Sequence, residues 1–547
     1  GRFGNWLENL VDWNLSRSRF WGTPLPIWRN KEGTETKCIG SVAELEAAIE
    51  ESVAKGYMKE SPYKGKEVDL HRPFVDDIVL VADNGDKMFR EPDLIDVWFD
   101  SGAMPYAQWH YPFENEDIFK ANYPADFIAE GVDQTRGWFF TLHTLAVMLF
   151  DSVAFKNVIA NGLVLDKNGN KMSKRLGNAV DPFITLKEFG PDALRWYMLS
   201  NANPWDNLKF NKEGVVEVQR RFFGTLQNTY NFFALYANLD AFAYDASNKI
   251  PVNERPELDQ WILSKLQSLI KETETAYENY DVTPASRAIM NFTVDQLSNW
   301  YVRLARKRFW RGDMNADKQA AYETLYECLE VISSLISPIA PFYADWLFQN
   351  LTASLESKPL SVHLTDWKLS DEGLINLSLE NSMQLAQDIS SLVHSLRKKE
   401  RLKVRQPLQK VLIPVLNEDT KALIEHVEDL IKSEVNIKSI EYIDDTSDIL
   451  VKSIKPNFAL LGKRFGPKMK AVSQIIQQWG KEEIAQIEKE GQASIQLDGE
   501  SVLLQLEEVL IQSQDIPGWS VATDNGITVA LDVTLTTELK EEGVARD

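Results

Sequence analysis

Three features of the sequence point to an α/β portion built on a parallel sheet, followed by an α-helical bundle and then a mixed α/β region. Between Leu94 and Gly162, short apolar runs alternate with one helix-like stretch, the pattern of βαβ units. From about Glu213, apolar residues recur at three- and four-residue steps through several long segments, the periodicity of helices that bury one face. Beyond roughly residue 400, β-like runs alternate with charged helical stretches.

Residues 29–94 join a polar turn, Asn30-Lys31-Glu32-Gly33-Thr34, to an Ala- and Glu-rich helical pattern from Ser41 to Lys55. They read as a small surface insertion with no evident chemistry. In 95–212, Asp126 to Ala129 and Val158 to Ile159 read as strands and Gly137 to Phe150 as the helix between them, half of a nucleotide-binding fold. In 213–399 the helical segments are Val215 to Ala237, Pro256 to Asn279, Pro284 to Arg311, Asp317 to Ile336, Pro341 to Leu351 and Leu377 to Lys399. Residues 400–547 form the mixed region, with Val411 to Val415 and Ser501 to Leu506 as strand-like runs. There is no solenoid repeat or low-complexity tract.

A chain of 547 residues that is 44% hydrophobic buries several cores, which suits two to four domains. The formal charge of −22 argues against general coating of DNA or an anionic membrane, because such binding is driven by phosphate neutralisation. RNA contact must then use local basic patches. Cys38 and Cys328 are the only cysteines, which fits a reducing cytosol and excludes a disulfide framework or a four-cysteine zinc site. No signal stretch opens the sequence and no apolar run is long enough to span a bilayer, so a cytoplasmic protein is expected. The sequence begins at Gly1 in what reads as mid-protein, and a start further upstream is expected.

Lys171-Met172-Ser173-Lys174-Arg175 follows the apolar run Val158 to Leu165 and the turn-forming Asp166-Lys167-Asn168-Gly169-Asn170. Two ammonium groups near a strand end suit a polyphosphate whose leaving oxygens gain charge. Glu130-Gly131-Val132-Asp133-Gln134 follows a strand-like run and precedes a helix, the position where α/β sheets hold ligands. Asp133 taken alone reads more readily as a helix cap than as a ligand contact. Asn299 to Arg311 is a helical stretch with five positive charges, Arg303, Arg306, Lys307, Arg308 and Arg311, interleaved with aromatics. It admits two readings: RNA phosphate contact with base stacking, or inward packing of Trp300, Leu304 and Trp310 with the charges paired to acids. A second basic run, Arg397-Lys398-Lys399 through Arg401, Lys403 and Arg405, reads as a solvated charged helix or an RNA backbone contact.

Several of these segments resemble class I aminoacyl-tRNA synthetases. The pentapeptide is similar to the KMSKS signature. Asp12-Trp13-Asn14-Leu15-Ser16-Arg17-Ser18-Arg19-Phe20-Trp21-Gly22-Thr23-Pro24-Leu25-Pro26, Asp96-Val97-Trp98-Phe99-Asp100-Ser101-Gly102, Glu130 to Phe139 and Gly190-Pro191-Asp192-Ala193-Leu194-Arg195-Trp196-Tyr197 match the isoleucine, valine and leucine branch. The Arg-Phe-Trp-Gly-Thr-Pro-Leu-Pro form, Arg175 and Asn203 to Phe210 look like the isoleucyl type, and the likeness weakens after about Lys410.

The resemblance implies a Rossmann-like class I catalytic half, an anticodon-binding bundle over 213–399, and residues 1–28 as the return from an editing insertion. It implies ATP with Mg2+, isoleucine and tRNA(Ile) as substrates. Lys171, Ser173 and Lys174 would bind ATP, with Lys171 and Lys174 catalytic. Glu130, Gly131, Asp133 and Gln134 would hold the aminoacyl-adenylate, and Trp98 and Trp138 the aliphatic side chain. Arg303, Arg306, Lys307, Arg308 and Arg311 would face tRNA. The chain departs from zinc-bearing relatives, since it lacks their cysteine clusters. None of its six histidines forms the His-x-Gly-His motif of the family, so the upstream part carrying that motif is expected to be needed for adenylate formation. A valyl enzyme and a stand-alone synthetase-derived RNA-binding module remain alternatives.

Overall fold

The computed structural model describes residues 2–355, 357–415, 417–443, 451–514 and 518–545. They form two compact units, residues 1–223 with 279–287, and residues 224–278 with 288–547.

In the first unit, Ala125–Gly131 and Phe155–Asn161 pair in parallel, from Ala125 against Phe155 to Gly131 against Asn161. The crossover between them is the helix Trp138–Phe150, which packs Leu142 and Ala146 against Ala154, with Ile128 and Phe155 alongside. A second parallel pair, Val164–Leu165 with Leu208–Lys209, follows directly. The helix Val97–Ala107 lies against the crossover helix through Gly102, where a Cβ would sit 3.0 Å from Leu145 and 3.1 Å from Thr141. Glycine is therefore needed for that approach.

The insertion is richer than its sequence suggests. The expected helix is Val42–Ala54, capped by Ser41, whose hydroxyl accepts from the Glu44 N–H at 3.1 Å. Its Leu45 and Ile49 pack on a four-stranded antiparallel sheet made of Thr36–Cys38, Ile27–Asn30, Lys87–Arg90 and Val79–Val81 in spatial order. Trp28 anchors this core and donates its indole N–H to the Ile78 carbonyl at 2.9 Å. These strands are three or four residues long, too short for a period-two pattern to stand out.

In the second unit, the helices Gly224–Leu239, Glu257–Glu278, Ala316–Ile336, Pro341–Leu351 and Leu377–Lys399 form the bundle. Ala316–Ile336 is buried along nearly its whole length. The segment expected as one regular helix from Pro284 to Arg311 runs as Val282–Asn291, then a π-helical stretch Phe292–Val302, then Arg303–Trp310. The wider π turn keeps Phe292, Leu297, Trp300 and Tyr301 buried together.

The mixed region holds a four-stranded sheet, Ile437–Ile443, Leu408–Pro414, Ile527–Asp532 and Trp519–Asp524 in spatial order. Inserted in it, residues 451–514 build a core of their own around Leu461, Val472, Ile476, Ile487 and Leu504. No helix among the described residues is long and apolar enough to cross a membrane.

Candidate functional site

The Lys171–Arg175 loop is built by hydrogen bonds that hold its backbone and leave its cations out. Asp166 accepts from the backbone N–H groups of Asn168 and Asn170 at 2.9 and 2.8 Å, closing the preceding turn. Asn178 then donates to Asp166 at 2.9 Å and accepts from the Ser173 N–H at 2.9 Å. The Asn178 hydrogen bond is the main reason the Asp166 carboxyl sits below its ordinary range, with the Asn170 and Asn168 amides adding to it. Ser173 caps the short helical turn Lys174–Leu176 through its hydroxyl, which accepts from the Leu176 N–H at 3.2 Å. Gly177 ends the turn at φ +67, a conformation that favours glycine. Lys171 and Lys174 are exposed, and neither makes an ion pair among the described residues. In this cap the Ser173 hydroxyl, expected as an ATP donor, acts as an acceptor, which leaves its O–H proton able to donate.

The loop continues from the sheet. Asn161 ends the Phe155–Asn161 strand, and at Gly162 a Cβ would lie 2.4 Å from the Asp206 carbonyl carbon. The Gly162 and Leu163 N–H groups donate to the Pro204 carbonyl and the Asn207 side chain, both at 2.8 Å. That close seam is the physical use of the Asn203 to Asn207 run.

At the carboxyl end of Ala125–Gly131, Glu130 is exposed and Gly131 half-exposed. Asp133 folds back over Gly131, where a Cβ would lie 2.5 Å from the Asp133 Oδ1. Asp133 also accepts from the Gln134 amide at 2.9 Å. The helix cap considered for Asp133 falls instead to Gln134, whose Oε1 accepts from the Trp138 N–H at 3.1 Å. Part of the hydrogen-bonding capacity of Gln134 is therefore spent on the crossover helix.

Trp98 and Trp138 flank Gly137. The Trp98 ring comes within 3.3 Å of where a Gly137 Cβ would stand, and the Trp138 indole donates to the Ser101 carbonyl at 3.0 Å. Trp98 is 41% exposed. Asp96 positions this corner: it caps Val97–Ala107 and accepts from the Trp13 indole at 2.9 Å and from Arg17 at 2.7 Å. The Asp12 to Arg17 and Asp96 to Gly102 motifs are thus joined physically. Asp100, inside the same Asp96 to Gly102 motif but given no role there, has its carboxyl raised by burial, with the Asp96 charge adding and a hydrogen bond from Thr23 opposing.

The basic stretch divides. Arg306, Lys307 and Arg311 are exposed, with Arg306 over the Trp310 ring at 5.3 Å. Arg303 stacks over Trp300 at 5.3 Å and pairs with Glu434 at 2.7 Å. Arg308 departs from the expected RNA contact. Its guanidinium makes a two-pronged bond to Asp259 at 2.7 and 2.8 Å, and Asp259 also accepts from the Tyr301 hydroxyl at 2.7 Å. Asp259 is fully buried, so Arg308 is committed to neutralising it. In the second run Arg397 is buried likewise. No group of three or more His, Cys, Asp or Glu side chains among the described residues is placed to hold a metal ion.

Two family profiles match this chain: tRNA synthetases class I (I, L, M and V) over residues 1–211, and the anticodon-binding domain of tRNA ligase over residues 259–412. An isoleucine–tRNA ligase of Cytophaga hutchinsonii is 62% identical over 548 aligned residues, covering 100% of this chain and 49% of that protein. One from Bacteroides thetaiotaomicron is 57% identical, covering 100% and 48%. One from Thermus thermophilus is 42% identical, covering 100% and 51%. The chain spans about half the length of the curated relatives it matches.

Proposed function

This chain belongs to the class I tRNA synthetases, and from that membership we propose that it provides the Lys171–Lys174 side of the active site and the RNA-binding bundle of an isoleucine–tRNA ligase. The reaction is activation of isoleucine by ATP with its Mg2+, then transfer to tRNA(Ile) in the cytoplasm. The upstream His-x-Gly-His part of the polypeptide completes the site. We assign the catalytic chemistry to residues 95–212 and RNA contact to 213–399.

The observation that carries this reading is the pair of exposed ammonium groups of Lys171 and Lys174, which make no ion pair among the described residues, on a loop whose backbone is held by Asn178 and Asp166. Activation requires the isoleucine carboxylate to attack the α-phosphorus in line while pyrophosphate leaves, so the protein must chiefly position groups and stabilise charge. Lys174 and Lys171 neutralise the β- and γ-phosphates as charge moves onto them. Glu130, Gly131, Asp133 and the free part of Gln134 hold the adenylate at the strand end. Trp98 and Trp138 grip the branched side chain. Such a slot separates isoleucine from valine by only about 1 to 3 kcal/mol, so an editing site elsewhere in the whole enzyme is expected.

Arg303, Arg306, Lys307 and Arg311 face tRNA in this reading, and Arg308 does not. Isoleucine-dependent ATP–pyrophosphate exchange by the whole-length enzyme tests the catalytic assignment. Lys174→Ala should lower the rate at least about tenfold with isoleucine preferred over valine throughout. An unchanged rate would remove Lys174 from the mechanism.

A further inference from the structure

Residues 279–287 belong to the first unit, although the chain on both sides of them lies in the second. This short return touches the parallel sheet at one place and the end of a helix at another. Tyr280 stands at φ +56, a conformation that is strained for a bulky side chain. Its ring stacks on Phe127, with centroids 4.7 Å apart and planes 15° from parallel. Phe127 lies on the strand that ends at Gly131, so the return is pinned beside the proposed adenylate position.

The second contact closes the helix Pro191–Asn201 from outside. The last carbonyls of a helix have no partner within it, and here side chains of the return take them. The buried Thr283 hydroxyl is shared between the Leu199 carbonyl at 2.6 Å and the Ala202 carbonyl at 3.1 Å. Arg287 donates its Nε–H to the Ser200 carbonyl at 2.8 Å and an amino N–H to the Asn201 carbonyl at 3.1 Å. A cation at that point also suits the negative end of the helix dipole. The carbonyls from Leu199 to Ala202 are thereby fixed immediately before the Asn203 to Asn207 run.

From Ala202 a continuous set of hydrogen bonds leads to the lysine loop. Pro204 and Asn207 accept from the Gly162 and Leu163 N–H groups at 2.8 Å. The Leu208 and Phe210 N–H groups donate to the Leu163 and Leu165 carbonyls at 2.9 Å, and Leu165 bridges to Lys171 in antiparallel register. We propose that Thr283 and Arg287 are positioning residues for isoleucine activation, setting through residues 199–210 the base on which Lys171 and Lys174 stand. The proposal rests on the reading that those lysines neutralise the phosphates of ATP. It adds that their placement is fixed from far along the chain as well as by the local anchors Asn178 and Asp166.

The test is a double-mutant cycle in the whole-length enzyme, read by isoleucine-dependent ATP–pyrophosphate exchange. Arg287 is exposed, so Arg287→Ala should fold. Its kcat should drop about tenfold with the KM for isoleucine unchanged, since the Trp98 and Trp138 corner is held by other contacts. Arg287→Lys, which keeps a donor and a charge at the helix end, should recover most of the rate, and Thr283→Val should behave as Arg287→Ala does. In a Lys174→Ala background, Arg287→Ala should change kcat by less than about twofold, because a residue that acts through Lys174 then has little left to lose. A tenfold loss repeated in that background, or a wild-type kcat in both Arg287→Ala and Thr283→Val, overturns the positioning role and leaves the lysine assignment standing. A fall in kcat that tracks a fall in Tm and is not recovered by Arg287→Lys reduces the contact to a fold contact and overturns it too. If Lys174→Ala alone leaves exchange unchanged, the lysine assignment falls and takes this inference with it.

Discussion

Asn178 is joined to Asp166 at 2.9 Å while its own carbonyl oxygen accepts from the Ser173 N–H at 2.9 Å, so one amide sets the height of the Lys171–Lys174 loop over the strand end. Asn178→Ala should lower kcat for isoleucine activation by about tenfold through misplaced ammonium groups, with little change in Tm, because the loop is exposed. Steady-state exchange kinetics beside thermal melts check this. A loss of Tm with kcat preserved would make Asn178 a fold residue and not a positioning one.

Gly131 and Asp133 form a second such pair. A Cβ at Gly131 would lie 2.5 Å from the Asp133 carboxylate, so Gly131→Ala must push Asp133 off the strand end. Adenylate formation should fall about tenfold or more, since displacements of this size carry that cost. Unchanged single-turnover adenylate formation in the variant contradicts the placement of the adenylate there.

The division within the basic stretch is testable by stability against binding. Arg308→Ala leaves the buried Asp259 carboxylate without its partner and should cost about 3 to 5 kcal/mol of stability, read from the urea midpoint. Arg306→Ala should leave the midpoint almost unmoved and weaken RNA binding with a shallower salt dependence. Equal stability of the two variants would mean that Arg308 is not the neutralising partner of Asp259.

Glu327 gives the helical unit a pH dependence of definite sign. Burial raises its carboxyl, but Arg255 at 2.8 Å and Lys249 at 3.0 Å outweigh burial and leave it below its ordinary value of 4.5. A carboxyl depressed in the folded state stabilises fully above its unfolded pKa, and that contribution fades as pH falls through the folded value. Urea midpoints should therefore decline between about pH 5 and 3, and Glu327→Gln should be less stable at neutral pH with a flatter decline. A decline as steep in the variant as in the wild type would assign the acid sensitivity to other groups.

Much of the fold is legible because its long elements carry periodicity. The Pro341–Leu351 and Leu377–Lys399 helices are read to the residue, and Trp138–Phe150 to within one. The strand runs at Asp126 and Val158 lie inside longer parallel partners. What escaped depends on distant partners. The π stretch Phe292–Val302 follows from core packing that a helical period does not record. The short strands around Trp28 take meaning only from each other. At the site, the Lys171–Arg175 signature was visible as a string, but its anchors Asp166 and Asn178 look like ordinary turn residues until their hydrogen bonds are drawn. Arg308 and Arg397 were indistinguishable from exposed neighbours, because their burial is set by Asp259, forty-nine residues away, and by the Val435 and Asn436 carbonyls.

The central claim is that this chain supplies the phosphate-stabilising lysines of isoleucine activation, and it is tested most directly by isoleucine-dependent ATP–pyrophosphate exchange in the whole-length enzyme with and without Lys174→Ala. The account predicts a rate at least about tenfold lower in the variant, at unchanged Tm and unchanged affinity for tRNA(Ile). An exchange rate equal to that of the wild type would contradict it.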